Sequence, residues 1–284
     1  MLSWLDELHL KENHRQACGV VSAGIIGQLS NDYKEVVELL TKHGAKRNLF
    51  FFLSGAGGSG KSHVIHTARK FCSDFCKMSG LPFEKDSIYL TAVSGSAAAL
   101  LGGGTLHTAA GLNKKNIKQD IINYWKIVRV LIIDEISYFS ENDFINLDKK
   151  LRKIKEERDV FYGGVPIVLA GDFHQLRPCG GIPVYKNSWS ECWHGSVNCC
   201  IFLKNDHRFK NDPLFGKILG RIRMGQETKK DIKEINKRWL GNEDIELPAD
   251  GEICYACPYN KDRNAVSTKI FSSLAKKHIP QYMT

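Results

Sequence analysis

The eight residues Gly55-Ala56-Gly57-Gly58-Ser59-Gly60-Lys61-Ser62 have the types and spacing of a phosphate cradle, G-x-x-x-x-G-K-S. Glycines let consecutive backbone N–H groups turn toward one anion without Cβ clashes. A helix starting there adds the partial positive charge of its N-terminus. Lys61 then reaches the β- and γ-phosphates of ATP or GTP, and Ser62 offers its hydroxyl to Mg²⁺. A second pair, Asp134-Glu135, follows the apolar run Leu131-Ile132-Ile133 about 70 residues later. Asp134 can hold Mg²⁺ through water, and Glu135 can orient and deprotonate water aimed at the γ-phosphate. Alone, such a pair is a common surface turn; behind a phosphate loop it reads as hydrolytic. A third segment, Gly171-Asp172-Phe173-His174-Gln175-Leu176-Arg177-Pro178, offers the amide of Gln175 to the same phosphate. Taken by itself it is a polar loop closed by proline.

These residues need a scaffold that delivers them to one place, and the hydrophobic pattern supplies one. Leu49-Phe50-Phe51-Phe52-Leu53 reads as a buried strand before the glycine loop, and Val64 to Phe75 as the helix after it. Ile88 to Ala92, Val128 to Ile133, Pro166 to Ala170 and Cys199 to Leu203 are further strand candidates. The nearly unbroken apolar character of the second of these fits a strand covered on both faces. Between strands, Phe144, Leu147, Leu151 and Ile154 recur at helical spacing, and Lys149, Lys150, Arg152, Lys153 and Lys155 fill the opposite, solvated face. Strands alternating with helices predict an α/β fold with a parallel sheet flanked by helices. Ligands of such sheets bind beyond the carboxyl ends of the strands, where the glycine loop, Asp134 and Asp172 would collect. Helical patterns return in Pro213 to Met224, in Lys229 to Leu240 and around Val266, Ile270 and Leu274. Ile253 to Ala256 reads as a short strand.

The chain has 284 residues, room for one large or two modest domains. No apolar run approaches the roughly 18 residues of a membrane helix, and Met1 to Leu10 has no signal-peptide pattern. A net charge of +9 points to a polyanionic partner, nucleic acid first. The nine cysteines, in a chain without a signal pattern, read as reduced thiols of an intracellular protein. Cys254 and Cys257 have knuckle spacing but lack a second pair. Cys72 and Cys76 lie one helical turn apart, as an apolar helix face requires.

The stretch Thr91-Ala92-Val93-Ser94-Gly95-Ser96-Ala97-Ala98, followed by Gly102-Gly103-Gly104-Thr105-Leu106-His107-Thr108, puts small hydroxyl residues and free N–H groups after a strand. Such groups suit phosphodiester contacts, and His107 can stack or hydrogen-bond. In combination, GAGGSGKS, TAVSGSAAALLGGGTLHT, LIIDEIS, GDFHQLRP and LKNDHRFKNDPLFGKILGRIRMG resemble the Pif-type (PIF-one) family of superfamily-one DNA helicases. The likeness spans roughly residues 10 to 275.

The resemblance implies a RecA-like ATPase domain over residues 48–203. A helical segment, 1–47, would precede it, and part of a second RecA-like domain, 204–284, would follow. It implies ATP and Mg²⁺, with 5′-to-3′ movement on single-stranded DNA and at forks, in replication, repair, recombination or telomere maintenance. Lys61, Glu135, Gln175 and Arg208 would be catalytic, Arg208 as an arginine finger from the second domain. Ser62 and Asp134 would hold the metal. Thr91, Ser94, Gly95, Thr105 and His107 would lie beside DNA. A monomer in the nucleus or mitochondrion of a eukaryote follows from the same likeness, with no membrane partner. Two departures stand out. His14 falls where the family's upstream leucine–asparagine–glutamine element has glutamine. The two later helicase motifs have no counterpart before Thr284, so the chain is expected to be C-terminally shortened. A non-catalytic DNA-binding remnant and a RecD-like helicase subunit therefore stay open as alternatives.

Overall fold

Runs of Phe, Ile, Val and Leu that are apolar at every position can be buried on both faces only in the middle of a layered structure. A computed structural model describes residues 16–19, 21–22, 50–80, 83–113, 116–186, 191–204, 207–237, 256–257 and 259–278. Six strands form one sheet: Phe50–Gly55 (β1), Ile88–Ala92 (β2), Gly104–Thr105 (β3), Val130–Asp134 (β4), Ile167–Gly171 (β5) and Cys199–Leu203 (β6). Their order is β3-β2-β4-β5-β1-β6, and every pair of neighbours is parallel. The five sheet strands expected between Leu49 and Leu203 are present, displaced by two residues at most where their ends are described. The two-residue β3 was not foreseen, being too short to show a period.

Alternation along β1 sends successive side chains to opposite layers. Phe51 and Leu53 join Val130, Ile132, Val168 and Ala170 under the helix Lys61–Met78 (α1), which contributes Val64, Ile65, Ala68, Phe71 and Cys72. Cys72 is fully buried, as its place on an apolar face implies. Phe50 and Phe52 face the other way, toward Phe144, Leu147, Leu151 and Ile154 of a long helix, Glu141–Lys155. Shorter helices precede it in the chain: Gly95–Leu101 (α2), Leu106–Ala109 (α3) and Gln119–Ile127 (α4), so the long helix is α5. Glu191–His194 (α6) and Pro213–Arg223 (α7) follow.

The basic face of α5 does more than meet solvent. Lys155 donates to the carbonyls of Trp125 and Val128, Lys150 to that of Gly111, and Arg152 pairs with the buried Asp148 at 2.8 Å. Asp148 in turn accepts the backbone N–H of Tyr162 at 2.6 Å. Lys149 and Lys153 are exposed, as the helical pattern predicts.

The chain divides into two compact units, Met1–Arg223 and Met224–Thr284. The second contains the helices Lys229–Asn236 (α8) and Asn260–His278 (α9). A capping box of Thr228 and Asp231 opens α8. The upstream element at Leu10 to Arg15, the helical segment expected over 1–47 apart from residues 16–19 and 21–22, Trp239, Cys254 and most of the strand expected at 253–256 lie outside the described residues.

One glycine is dictated by the sheet itself. A Cβ on Gly103 would collide with the carbonyl group of Leu90 in β2. The contact is backbone to backbone, so neither side can swing aside. Gly103→Ala is expected to destabilise the protein by about 2 kcal/mol or more. Urea unfolding monitored by circular dichroism checks this, and a loss below about 0.5 kcal/mol would contradict it.

Candidate nucleotide site

Strand order decides which loops meet. β5 lies between β1 and β4, with Ser54 opposite Gly171 and Ile133 opposite Leu169. The loops leaving the carboxyl ends of these three strands are the glycine loop, the Asp172 to Gln175 turn and Glu135. They emerge side by side.

The glycine loop has the backbone its composition allows. Gly58 and Gly60 adopt φ of 87° and 97°, the left-handed range that favours glycine. Gly60 caps α1, so the first N–H groups of that helix point into the loop. A Cβ on Gly55 would strike the Ser59 hydroxyl, and one on Gly58 would strike Cβ of Arg208. The Lys61 ammonium donates to the carbonyls of Gly55 at 2.8 Å and Ala56 at 3.3 Å. Burial lowers its pKa, and the carboxylates of Asp134, Glu135 and Asp172 work against that effect.

Asp134 is nearly buried at the end of β4. Its Oδ1 accepts the backbone N–H of Glu135 at 2.9 Å. Glu135 itself stands at φ 57° and ψ 42°, a left-handed conformation that costs a non-glycine residue roughly 1 kcal/mol. Glu135 lines the cavity beside the glycine loop, and its Oε2 is buried with no hydrogen-bond partner among the described residues. Burial raises the pKa of both carboxyls, with Asp134 adding to the rise at Glu135. Two adjacent desolvated carboxyls with an orphaned oxygen fit a cation and a polarised water. Among the described residues no three His, Cys, Asp or Glu side chains converge as a metal cage. A hard divalent ion there would depend on Ser62, Asp134 and oxygens from its ligand, the habit of Mg²⁺.

Gln175 and Arg208 reach the same spot. A Cβ on Gly57 would lie 3.2 Å from Nη1 of Arg208 and 3.4 Å from Nε2 of Gln175. The backbone N–H of His207 donates to the carbonyl of Gly58 at 3.0 Å, which ties the Arg208 loop to the glycine loop. Arg208, expected as a finger from a second domain, lies in the compact unit that carries the glycine loop. Gly57, Gly58, Gly60, Lys61, Ser62, His63, Asp134, Glu135, Gln175 and Arg208 line one cavity of about 320 Å³.

Two residues in the area were not singled out by their sequence context. His63 lines the cavity, one position beyond the phosphate signature. Arg223, the last residue of α7, clamps the buried carboxylate of Asp172. Arg223 lay inside a quoted motif, whereas for His63 the one signal was its place next to the phosphate signature.

The loops expected to meet DNA split into two groups. Thr91 is fully buried, and its hydroxyl donates to the carbonyl of Ile132 at 2.7 Å. That side chain therefore braces β2 against β4 and is not available to a ligand, which corrects its reading as a contact residue. Ser94 caps α2 by accepting the N–H of Ala97 at 3.2 Å. Gly95 is exposed, with open space where a Cβ would stand. Thr105 donates to the Thr108 hydroxyl at 3.0 Å, and the half-buried His107 ring sits edge-on against Phe139 with centroids 5.8 Å apart. Ser94 and Gly95 lie just beyond the carboxyl end of β2, Thr105 ends β3 and His107 follows it.

With this geometry in hand, comparison with known proteins is informative. A family profile described as PIF1-like helicase matches residues 28–231, more than half of the chain. This chain belongs to the PIF1-like helicase family. The ATP-dependent DNA helicase RRM3 of Saccharomyces cerevisiae is 34% identical over 243 residues, covering 79% of this chain and 31% of that protein. The ATP-dependent DNA helicase PIF1 of Emericella nidulans is 31% identical over 216 residues, covering 70% and 27%. A crystal structure of Pif1 helicase from Candida albicans superposes with a TM-score of 0.60 at 25% identity, over 84% of this chain and 54% of that one. Bacteroides Pif1 in complex with ADP-AlF3 and ssDNA shares the fold, with a TM-score of 0.63 at 22% identity over 89% and 58%. This PIF1-like chain thus spans about a third of the length of the RRM3 relative and just over half of the solved chains.

Gly58 offers a direct check on the site. Gly58→Ala combines an unfavourable φ with a clash against Arg208. Nucleoside triphosphate affinity, read by titration with a fluorescent ATP analogue, is expected to fall at least about tenfold. Unchanged affinity would mean that the loop does not hold the phosphates.

Proposed function

We propose that this chain carries the ATP-hydrolysing part of a DNA helicase that couples hydrolysis to 5′-to-3′ movement on single-stranded DNA and to unwinding at forks. One observation carries the reading: Lys61, Asp134, Glu135, Gln175 and Arg208 line a single cavity at the carboxyl edge of a parallel sheet. Family membership and the names of the relatives support it. The setting it implies is an intracellular monomer acting in replication, repair, recombination or telomere maintenance.

On this reading the N–H groups at the start of α1 and the loop hold the β-phosphate, and Lys61 leaves its carbonyl partners for the β- and γ-phosphates. Ser62 and Asp134 would hold Mg²⁺, which would supply charge neutralisation at the phosphates. Glu135 orients water in line with the γ-phosphorus and takes its proton. Its pKa is raised by burial and by the neighbouring Asp134, which makes the carboxylate a better base. Arg208 and Lys61 face the charge that builds on the transferred group, and Gln175 donates its amide to a γ-phosphate oxygen. The second RecA-like domain expected from residue 204 would begin only at Met224, where the second compact unit opens.

Ser94, Gly95, Thr105 and His107 are the proposed DNA edge. Gly95 and the hydroxyl of Thr105 offer phosphate contacts, and the His107 ring offers a face to a base. The Bacteroides Pif1 that shares this fold was crystallised with ADP-AlF3 and ssDNA, which favours a two-ligand reading of the same layout.

The enzymatic half is tested by DNA-stimulated ATP hydrolysis. Glu135→Gln is expected to keep ATP binding and to lose turnover by about 10² to 10⁴. Loss of binding instead would remove Glu135 as the base. Lys61→Ala is expected to abolish hydrolysis with the fold intact. DNA binding without any stimulated hydrolysis in the unmodified chain would favour the non-catalytic remnant.

For the DNA half, His107→Ala and Thr105→Ala are each expected to weaken single-strand binding by about 1–3 kcal/mol if a base or phosphate rests there. Fluorescence anisotropy with a labelled oligonucleotide measures this. Wild-type affinity in both variants would move the DNA path elsewhere.

A further inference from the structure

A carboxylate taken out of water at a strand end needs a reason, and Asp172 has an unusual one. It is 2% exposed. Oδ1 accepts Nη2 of Arg223 at 2.7 Å, and Oδ2 accepts Nε at 3.1 Å, a two-pronged pairing that only the planar guanidinium can make. Oδ1 also accepts the backbone N–H of His174 at 3.1 Å. The carbonyl of Asp172 accepts the backbone N–H of Gln175 at 2.9 Å. Both ends of this one residue are therefore used to shape the turn that presents Gln175. Burial opposes ionisation of Asp172, yet the Arg223 and His174 hydrogen bonds outweigh it and hold the carboxyl below the usual range.

Arg223 comes from far along the chain. It is the last residue of α7 and the last residue of the first compact unit, with Met224 opening the second. Gln175 sits at the other end of the same chain of contacts, with its amide beside Gly57 and Arg208. Ile218 is the buried anchor of α7, and Arg223 stands at the partly exposed end of the helix.

We propose that Arg223 is a positioning residue: by clamping Asp172 it sets the Gln175 turn, so that the presence of a γ-phosphate is felt at the end of α7, where the chain enters its second unit. This rests on the reading of Gln175 as the group that meets the γ-phosphate. Arg223 touches no reacting atom. Its effect passes through Asp172 to Gln175 and appears only when a ligand has a third phosphate.

The test compares affinities for ADP and for the slowly hydrolysed ATPγS, both with Mg²⁺, in a double-mutant cycle. Wild type is expected to prefer ATPγS by about tenfold or more, the value of a hydrogen bond to a charged group. Arg223→Ala is expected to erase most of that preference while leaving ADP affinity within about twofold. Gln175→Ala is expected to do the same, and the double variant to lose no more than either one. Arg223→Lys keeps the charge but not the fork and is expected to recover less than half of the preference. Additive losses, an unchanged preference in Arg223→Ala, or full recovery by lysine would each overturn the proposal. So would a loss of ADP affinity equal to the loss for ATPγS, which marks a structural role. Absence of any preference in wild type would instead sink the γ-phosphate reading of Gln175 and the functional proposal with it.

Discussion

The parallel pairing of β5 between β1 and β4 is the constraint on which everything else hangs. Adjacent strands in a sheet are held about 4.8 Å apart by backbone hydrogen bonds, and parallel strands all end on the same side. Three loops distant in sequence are thereby placed within two strand spacings of one another. The backbone ladder sets that placement before any side chain refines it. Lys61, Glu135 and Gln175 are passengers on a backbone ladder whose stability comes from the two apolar layers covering it.

Those layers explain why the site can hold unfavourable features. Gly58, Gly60 and Glu135 sit in left-handed conformations, and three carboxyls and a lysine are crowded into partly desolvated space. Crowding partly cures itself: the charges that would be costly alone offset one another, Lys61 against Asp134 and Glu135, Arg223 against Asp172. Strain at Glu135 is tolerable because β4 before it is buried at every position and the Ile136–Tyr138 turn after it is anchored by the buried Ile136.

Charge that looks idle in the sequence is often employed by the fold. The lysines of α5 form a solvated face by periodicity, and two of them are exposed. Lys150 and Lys155, however, use their long stems to reach carbonyls left open at the ends of other elements. Thr91 shows the same shift of role. A threonine at a strand end resembles a phosphate contact, but its hydroxyl is consumed by the neighbouring strand. Gly103 belongs here too, since its missing side chain makes room for the backbone of β2 rather than for DNA.

Local chemistry made much of this protein legible without coordinates. The glycine loop, the Asp-Glu pair, the strands and the amphipathic helix from Glu141 to Lys155 follow from dihedral freedom and hydrophobic period, which act over a few residues. The α/β architecture followed from their alternation. What no local rule contains is which strand lies beside which. Only the sheet order brought Gln175 and Arg208 to the glycine loop, put Arg208 in the same compact unit, buried Thr91, and closed Arg223 on Asp172 across 51 residues of chain. Those pairings depend on how two buried faces share one core, a property of the whole packed chain that spacing along the sequence does not record.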